Sequence, residues 1–472
     1  MSALGELNKR SSKSDLVVIV VGTLLILGPA LFNGFPFVYP DTGTYLASAF
    51  RGVVPVDRPC WYGLFMRISS LGGNTFWGII VGQALLCSIY VHRTVAVLVT
   101  RHAPAFALVL LALLSIFSSI GWYAGQLMPD IFTGIGILAM FHLLSGHGSR
   151  WARLADAVMV VFSCWVHLSN LLILPLSGCL LLLLRSGTLR TFREQRWALL
   201  AVTTLVSWAG LALANRIVDK EFYLSRSGQA FMIAHLLDTG ILPAWMDEHC
   251  PDGGYRICVY RDRLPPSGNH LLWADSISPM HLEGGWLATK PEYERIVRSA
   301  LLDPKYAWWY AKAGVHATIE LIGKRTICRG LINTEYREPT SPPYCMIEGT
   351  IRSSLPDYLA SMQNGGRGEL KMLNIDSLYK AFISVVFLAS LFLILVPRRL
   401  IRGMLARSDL TFAVGALLID AFVCANLSTT EDRYLSRTTW ILPLFFILLL
   451  IQLWSTRKDQ RISDRQTTSS TH

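Results

Sequence analysis

Four short stretches of this sequence carry side chains suited to proton transfer or anion binding. The run Gly34-Phe-Pro-Phe-Val-Tyr-Pro-Asp-Thr-Gly-Thr-Tyr45 presents Asp41, a carboxylate able to take a proton or hold a cation. Followed by Thr42, Gly43 and Thr44, it is equally able to open a helix by accepting backbone N–H bonds. A second carboxylate, Asp130, follows Met128 and Pro129, which is also a good helix start. His167, in Trp165-Val-His-Leu-Ser-Asn170, reads either as an aid to phosphate binding or proton transfer or as the cap of a helix hairpin. Arg433 and Arg437, in Ser428-Thr-Thr-Glu-Asp-Arg-Tyr-Leu-Ser-Arg437, ask for an anionic partner, because a guanidinium binds phosphate or carboxylate bidentately. That partner is a ligand or lipid phosphate, or an internal carboxylate such as Glu431 or Asp432. Arg51, Arg58 and Arg67 admit the same two readings.

The elements that must position these residues are apolar. Of 472 residues, 52% are hydrophobic and 16% charged, with a mean hydropathy of +0.41, more apolar than a soluble core requires. A bilayer core about 30 Å thick needs about 20 apolar residues per helical crossing. Ten runs approach that length, near residues 16–34, 75–92, 104–122, 130–146, 155–169, 170–185, 197–214, 378–396, 410–427 and 439–455. The fifth and sixth are short and separated only by His167 to Asn170, so they read as a tight hairpin or as one broken segment.

The net charge of +11 does not point to nucleic acid, because the basic residues are scattered between apolar runs rather than gathered in one domain. Lys9, Arg10 and Lys13 precede the first run, and Arg93 and Arg101 follow the second. Arg150 and Arg153 follow the fourth, and Arg185, Arg190, Arg193 and Arg196 the sixth. Arg398, Arg399, Arg402 and Arg407 follow the eighth, and Arg457, Lys458, Arg461 and Arg465 the tenth. With ten crossings all of these share one side, which the positive-inside rule makes cytoplasmic, together with both termini. The expectation is an all-α, multi-pass protein of the cytoplasmic (inner) membrane. It has seven helices in residues 1–214, a catalytic first outer loop at 35–74, a large non-cytoplasmic insert at 215–377, three more helices in 378–456 and a cytoplasmic tail at 457–472. The first run reads as an uncleaved signal anchor.

Of nine cysteines, Cys87, Cys164, Cys179 and Cys424 fall in apolar runs, where a small buried side chain is the plain reading. Cys250, Cys258, Cys328 and Cys345 fall in the insert. They suggest two disulfides formed in an oxidising compartment, with Cys250–Cys258 the natural first pair; a four-cysteine zinc site is the rival, without its usual C-x-x-C spacing.

Taken together, the Tyr39-Pro-Asp41-Thr-Gly-Thr-Tyr45 loop, Met-Pro-Asp130, Asp432-Arg433-Tyr434 and the long outer loop after seven helices resemble the C class of membrane glycosyltransferases (GT-C). The resemblance implies a polyprenyl-phosphate-linked sugar donor and a saccharide, lipid or protein acceptor, with no nucleic-acid partner. It assigns catalysis to Asp41 and Asp130, and donor-phosphate binding to Arg58, His167, Arg433 and Arg437, with inversion at the anomeric carbon. A divalent cation, Mg or Mn, held by Asp41 and Asp130 is left open, because the first loop lacks the Asp-Glu pair of protein mannosyltransferases and the second the acidic-x-acidic pattern of oligosaccharyltransferases. A transporter or flippase of lipid-linked saccharides, and a saccharide polymerase or ligase, are the competing expectations.

Overall fold

The fold is that of a computed structural model, which describes every residue except 1, 100–102, 147, 186–189, 251–253, 332–333, 366–368, 397–403, 429 and 470–472. Side chains are also left undescribed at 2–12, 190–194, 329, 334, 369–373, 404–406 and 456–469. The expectations placed on Lys9, Arg10, Arg101, Arg190, Arg193, Arg398, Arg399, Arg402 and the side chains of the 457–472 tail lie outside the described residues.

Among the described residues the chain is all-helical, with no strand beyond one isolated bridge. The N-terminal half runs α1 (Ser2–Ile26), α2 (Gly28–Asn33), α3 (Thr42–Arg51), α4 (Trp61–Ser69), α5 (Trp77–Leu98), α6 (Ala103–Phe117), α7 (Ile120–Ala124), α8 (Ile131–Ser145), α9 (Arg150–Val166), α10 (Asn170–Leu184) and α11 (Arg190–Asp219). The insert holds α12 (Gly228–Asp238), α13 (Ile241–His249), α14 (Gly268–Trp273), α15 (Pro279–Leu282), α16 (Trp286–Leu302), α17 (Pro304–Gly323), α18 (Pro342–Thr350) and α19 (Leu355–Ala360). The chain closes with α20 (Glu369–Leu395), α21 (Met404–Leu427), α22 (Arg433–Ser436) and α23 (Ile441–Ser469).

Among the described residues six helical segments are long and apolar enough to cross a membrane: Lys13–Asn33, Trp77–Leu98, Gln195–Asp219, Asn374–Leu395, Arg407–Leu427 and Arg433–Ser455. They carry large apolar side chains outward, such as Leu16, Val20 and Leu24 on α1, Val202 and Leu205 on α11, and Val385, Leu388 and Phe392 on α20. Apolar surface that extensive suits lipid and not water, so this is an all-α, multi-pass membrane protein. The helices α6, α8 and α10 are apolar but shorter. The fifth and sixth expected runs are two helices, α9 and α10, separated by a turn at His167–Ser169.

At the centre stands α8, every residue of which is buried, as a helix hydrophobic on all faces requires. It is closely surrounded because it is thin where neighbours approach. A Cβ on Gly134 would lie 2.6 Å from the Trp440 ring, and one on Gly136 would meet Ser163 and Leu174 at 2.9 Å. The insert divides between two cores. Residues from Ala230 to Tyr306 enclose a small core of their own around Trp245, Tyr293 and Tyr306. Cys328, Leu331, Tyr336, Met346, Ile347 and Tyr358 instead join the main helical core.

The cysteine expectation is met for one pair and corrected for the other. Cys250 and Cys258 form a disulfide in the small core's shell. Cys328 and Cys345 are free thiols and make no second bridge. Cys328 is buried in the main core, where its amide and that of Ile327 donate to the Asp376 carboxylate. Cys345 is exposed on α18, its thiol donating to the Pro339 carbonyl.

Candidate functional site

A polar clamp holds the Asp41 loop. Phe37 pairs with the segment before α8, its amide donating to the Gly125 carbonyl and its own carbonyl accepting from Leu127, each at 2.9 Å. Buried Gln83 of α5 donates to the carbonyls of Ala124 and Gln126, and its Oε1 accepts from Tyr62 of α4 at 2.6 Å. Gln363, at the far end of the insert, donates to the Val38 and Leu331 carbonyls, while its Oε1 accepts from the Val38 amide. Thr42 completes the loop by accepting from the Tyr39 amide at 2.9 Å. These bonds satisfy backbone groups of an irregular segment that helix and sheet cannot satisfy. They also bring the Asp41 loop beside Asp130.

Asp41 and Asp130 both occupy the residue before a helix, and neither side chain caps it. Asp41 instead lies between two guanidiniums. Arg58 reaches its Oδ1 at 2.9 Å and Arg433 its Oδ2 at 2.7 Å. Burial alone would raise the Asp41 pKa, but the charges and hydrogen bonds of Arg58 and Arg433 outweigh it and hold the carboxyl well below the usual range. Arg58 also bonds Asp57 through Nε at 2.7 Å and lies over the Tyr45 ring. Arg433 lies over Tyr39 and Tyr434, with ring centroids 4.8 and 5.3 Å away. The three arginines of the first loop thus separate: Arg58 enters the site, Arg67 bonds the Ala49 carbonyl, and Arg51 lies exposed.

Behind this pair is a more deeply buried one. Arg437 is fully buried and donates to His167 Nε2 at 2.7 Å, Ser169 Oγ at 3.0 Å and Asp420 Oδ1 at 2.9 Å. Because a guanidinium only donates, Nε2 must accept, so the imidazole proton sits on Nδ1 and is given to Ser169 Oγ at 2.9 Å. Burial, then the charges of Arg437, Arg433 and Arg58, push the His167 pKa well below its ordinary value and keep the ring neutral. Asp130, buried, approaches Arg437 at 3.6 Å, and its Oδ1 makes no hydrogen bond.

Asp41, Arg58, Asp130, His167, Ser169 and Arg433 edge a cavity of about 350 Å³. Its remaining wall is largely apolar, from Phe231, Met232 and Trp273 of the insert and Val423 and Leu427 of α21. The structure therefore gathers five of the six expected site residues on one cavity. Arg437, the sixth, does not line it and stands behind His167 and Ser169, where it fixes their orientation.

Three participants were missed from the sequence. Asp420, the fully buried partner of Arg437, also accepts from Thr438 at 2.7 Å. A lone carboxylate inside the apolar run 410–427 was the signal that could have found it. Trp273 and Phe231 carried no signal, because an aromatic residue in the insert reads as core. No protein-family model, curated protein or solved structure matches this chain.

Proposed function

We propose that this protein is a membrane glycosyltransferase that moves a sugar from a polyprenyl-phosphate-linked donor to a lipid, glycan or protein acceptor on the non-cytoplasmic side. One observation carries the reading. Asp41, Arg58, Asp130, His167 and Arg433, from four separate segments, edge one cavity whose other wall is apolar. A phosphate carrying an isoprenoid tail presents that same pair of demands, an anion and a hydrocarbon, to one site.

In this reading the chain makes ten crossings, with α6, α8, α9 and α10 as the shorter ones, and both termini are cytoplasmic. The outer end of the bundle then carries the cavity. Lys13, Arg93, Arg150, Arg153, Arg185, Arg196 and Arg407 occupy the other end, in keeping with the positive-inside rule.

Arg433 and Arg58 supply charge-assisted donors to the phosphate oxygens and stabilise the negative charge that grows as the sugar–phosphate bond breaks. While paired with both guanidiniums, Asp41 is a weak base. A donor phosphate that takes over those guanidiniums removes the cause of its low basicity, so Asp41 gains the strength to accept the acceptor hydroxyl's proton only once donor is bound. His167 Nε2 is already held by Arg437, which gives the ring a positioning role. The carboxylates do not suit a divalent cation, since both oxygens of Asp41 face guanidiniums and Asp130 faces Arg437. No step is assigned to one.

Asp41→Asn keeps the shape and removes the base. Sugar transfer in membranes supplied with polyprenyl-phosphate sugar should fall by roughly 10²–10⁴-fold, with unchanged amounts of folded protein. Full retained transfer would remove Asp41 from the mechanism. An unaltered set of envelope glycolipids and glycans in a deletion strain, read by mass spectrometry, would remove the glycosyltransferase reading itself.

A further inference from the structure

Beyond the first cavity lies a second, of about 510 Å³, whose lining includes His235, Asp238, Asn269, His316, Thr430 and Glu431. The two belong to one groove. Along α12, Gly228, Phe231 and Met232 line the first cavity, and His235 and Asp238, one and two turns further on, line the second. Spacings of three and four residues place all of these on one helix face. The opposite wall repeats the relation: Leu427, Ser428, Arg433 and Tyr434 face the first cavity, while Thr430 and Glu431 between them face the second.

The chemistry changes along this groove. The first cavity has an apolar wall and guanidiniums, whereas the second is lined by carboxyl, amide, hydroxyl and imidazole groups, with no arginine among them. Lys324, the nearby cation, is committed to Glu320 at 2.6 Å and to Thr430. Carboxylates without a free cation repel a phosphate and accept hydrogen bonds from hydroxyls. His235 is almost wholly buried in the cavity wall, edge-on to the Tyr310 ring.

We propose that this second cavity binds the hydroxyl-rich, uncharged part of the acceptor, a neutral saccharide, and presents its end to Asp41. The assignment of the saccharide as acceptor rests on the glycosyltransferase reading, while the binding itself does not. The groove then sorts its substrates by charge, the anionic donor to the arginines and the neutral acceptor to the carboxyl and amide groups.

The test is saccharide binding to the purified full-length protein in detergent, measured by saturation-transfer NMR with neutral di- and trisaccharides of hexose, N-acetylhexosamine and pentose units. Asn269→Trp and His316→Trp, both at exposed positions, fill the cavity from its rim. Each should weaken binding by roughly tenfold or more. Inorganic phosphate should not compete. Absence of binding across the panel, binding unaffected by both tryptophan variants, or displacement by phosphate would overturn the proposal. Binding that behaves as expected, in a protein that transfers no sugar, would leave the saccharide site standing and sink the glycosyltransferase reading alone.

Discussion

Arginine–carboxylate pairs occur at both ends of the helical bundle, and the two ends use them differently. At the end away from the cavity, Arg93 of α5 grips Asp156 of α9 through two bonds of 2.6 and 2.8 Å, with Tyr90 donating to the same carboxylate. Arg185, just past α10, bonds Asp409 of α21 and Ser145 of α8, each at 2.7 Å, and lies over the Phe141 ring. These pairs tie helix to helix. At the other end, Arg58 and Arg433 share one carboxylate, Asp41, across the mouth of a cavity of about 350 Å³. Asp130 Oδ1 nearby makes no hydrogen bond. Charge pairing is common to both ends. Open space beside it marks the end that can accept a ligand.

Deleting a deeply buried partner should have the largest effect and at first erase the contrast. Arg437→Leu strands the Asp420 carboxylate, and Arg93→Leu strands Asp156. Each should cost about 3–5 kcal/mol, read by thermal unfolding in detergent, because the charge left behind is buried and uncompensated. The double replacements restore the contrast. Arg93→Leu with Asp156→Leu should recover most of the lost stability and keep transfer activity, since apolar residues often replace a buried ion pair with little loss. Arg437→Leu with Asp420→Leu should recover stability but not activity, because His167 and Ser169 lose the donor that orients them. Equal activity in the two doubles would reduce Arg437 to a helix tie like Arg93.

Much of this contrast was open to sequence reasoning, and some of it could not be. The apolar runs became helices at nearly their expected positions, because a hydrophobic stretch in lipid has no other way to satisfy its backbone. Asp41, Arg58, Asp130, His167 and Arg433 were legible as chemical types, yet each also had a capping or pairing explanation of similar weight. What decides between them is long-range: Phe37 against Gly125, Gln83 against Ala124, Gln363 against Val38. None of those contacts leaves a local pattern. Depth was equally hidden, so Arg433 and Arg437, four residues apart, looked alike although only the first edges the cavity. Cys328 and Cys345 were left as the second pair because both fall in the insert, and depth keeps them apart: Cys328 is buried in the main core and Cys345 is exposed on α18.

A smaller change separates charge from geometry at the cavity mouth. Arg433→Lys keeps a cation but loses the planar guanidinium that bonds Asp41 Oδ2 and lies over Tyr39. Transfer should fall by about 10²–10³-fold, as when one donor to a developing negative charge is removed, with little change in melting temperature. Arg185→Lys, the matching change at the opposite end, should leave transfer within about twofold, because surface or tie positions act on stability and not on the reacting charge. The comparison fails if both lysine variants lose activity alike.

The smallest effect is a slope in pH. Burial and three neighbouring guanidiniums keep folded His167 neutral well below its ordinary pKa of 6.5, whereas in the unfolded chain it takes a proton at that value. The unfolded state therefore binds more protons as pH falls through 6.5, and stability contributed by the neutral ring is lost in that direction. Asp41 acts lower: its folded pKa is depressed, so its contribution is present above the ordinary 3.8 and is lost as pH drops beyond that. Between these two values His167 is the one of the pair whose proton uptake differs between states. Its slope can reach at most about 1.4 kcal/mol per pH unit. Melting temperatures of the purified protein between pH 7 and about pH 5 should accordingly decline. His167→Gln retains a side-chain oxygen to accept from Arg437 and cannot be protonated there, so it should flatten that decline while lowering stability at neutral pH only slightly. A variant that declines as steeply as the parent would place the titrating group elsewhere and leave His167 without the buried, arginine-held environment that sets this end of the bundle apart.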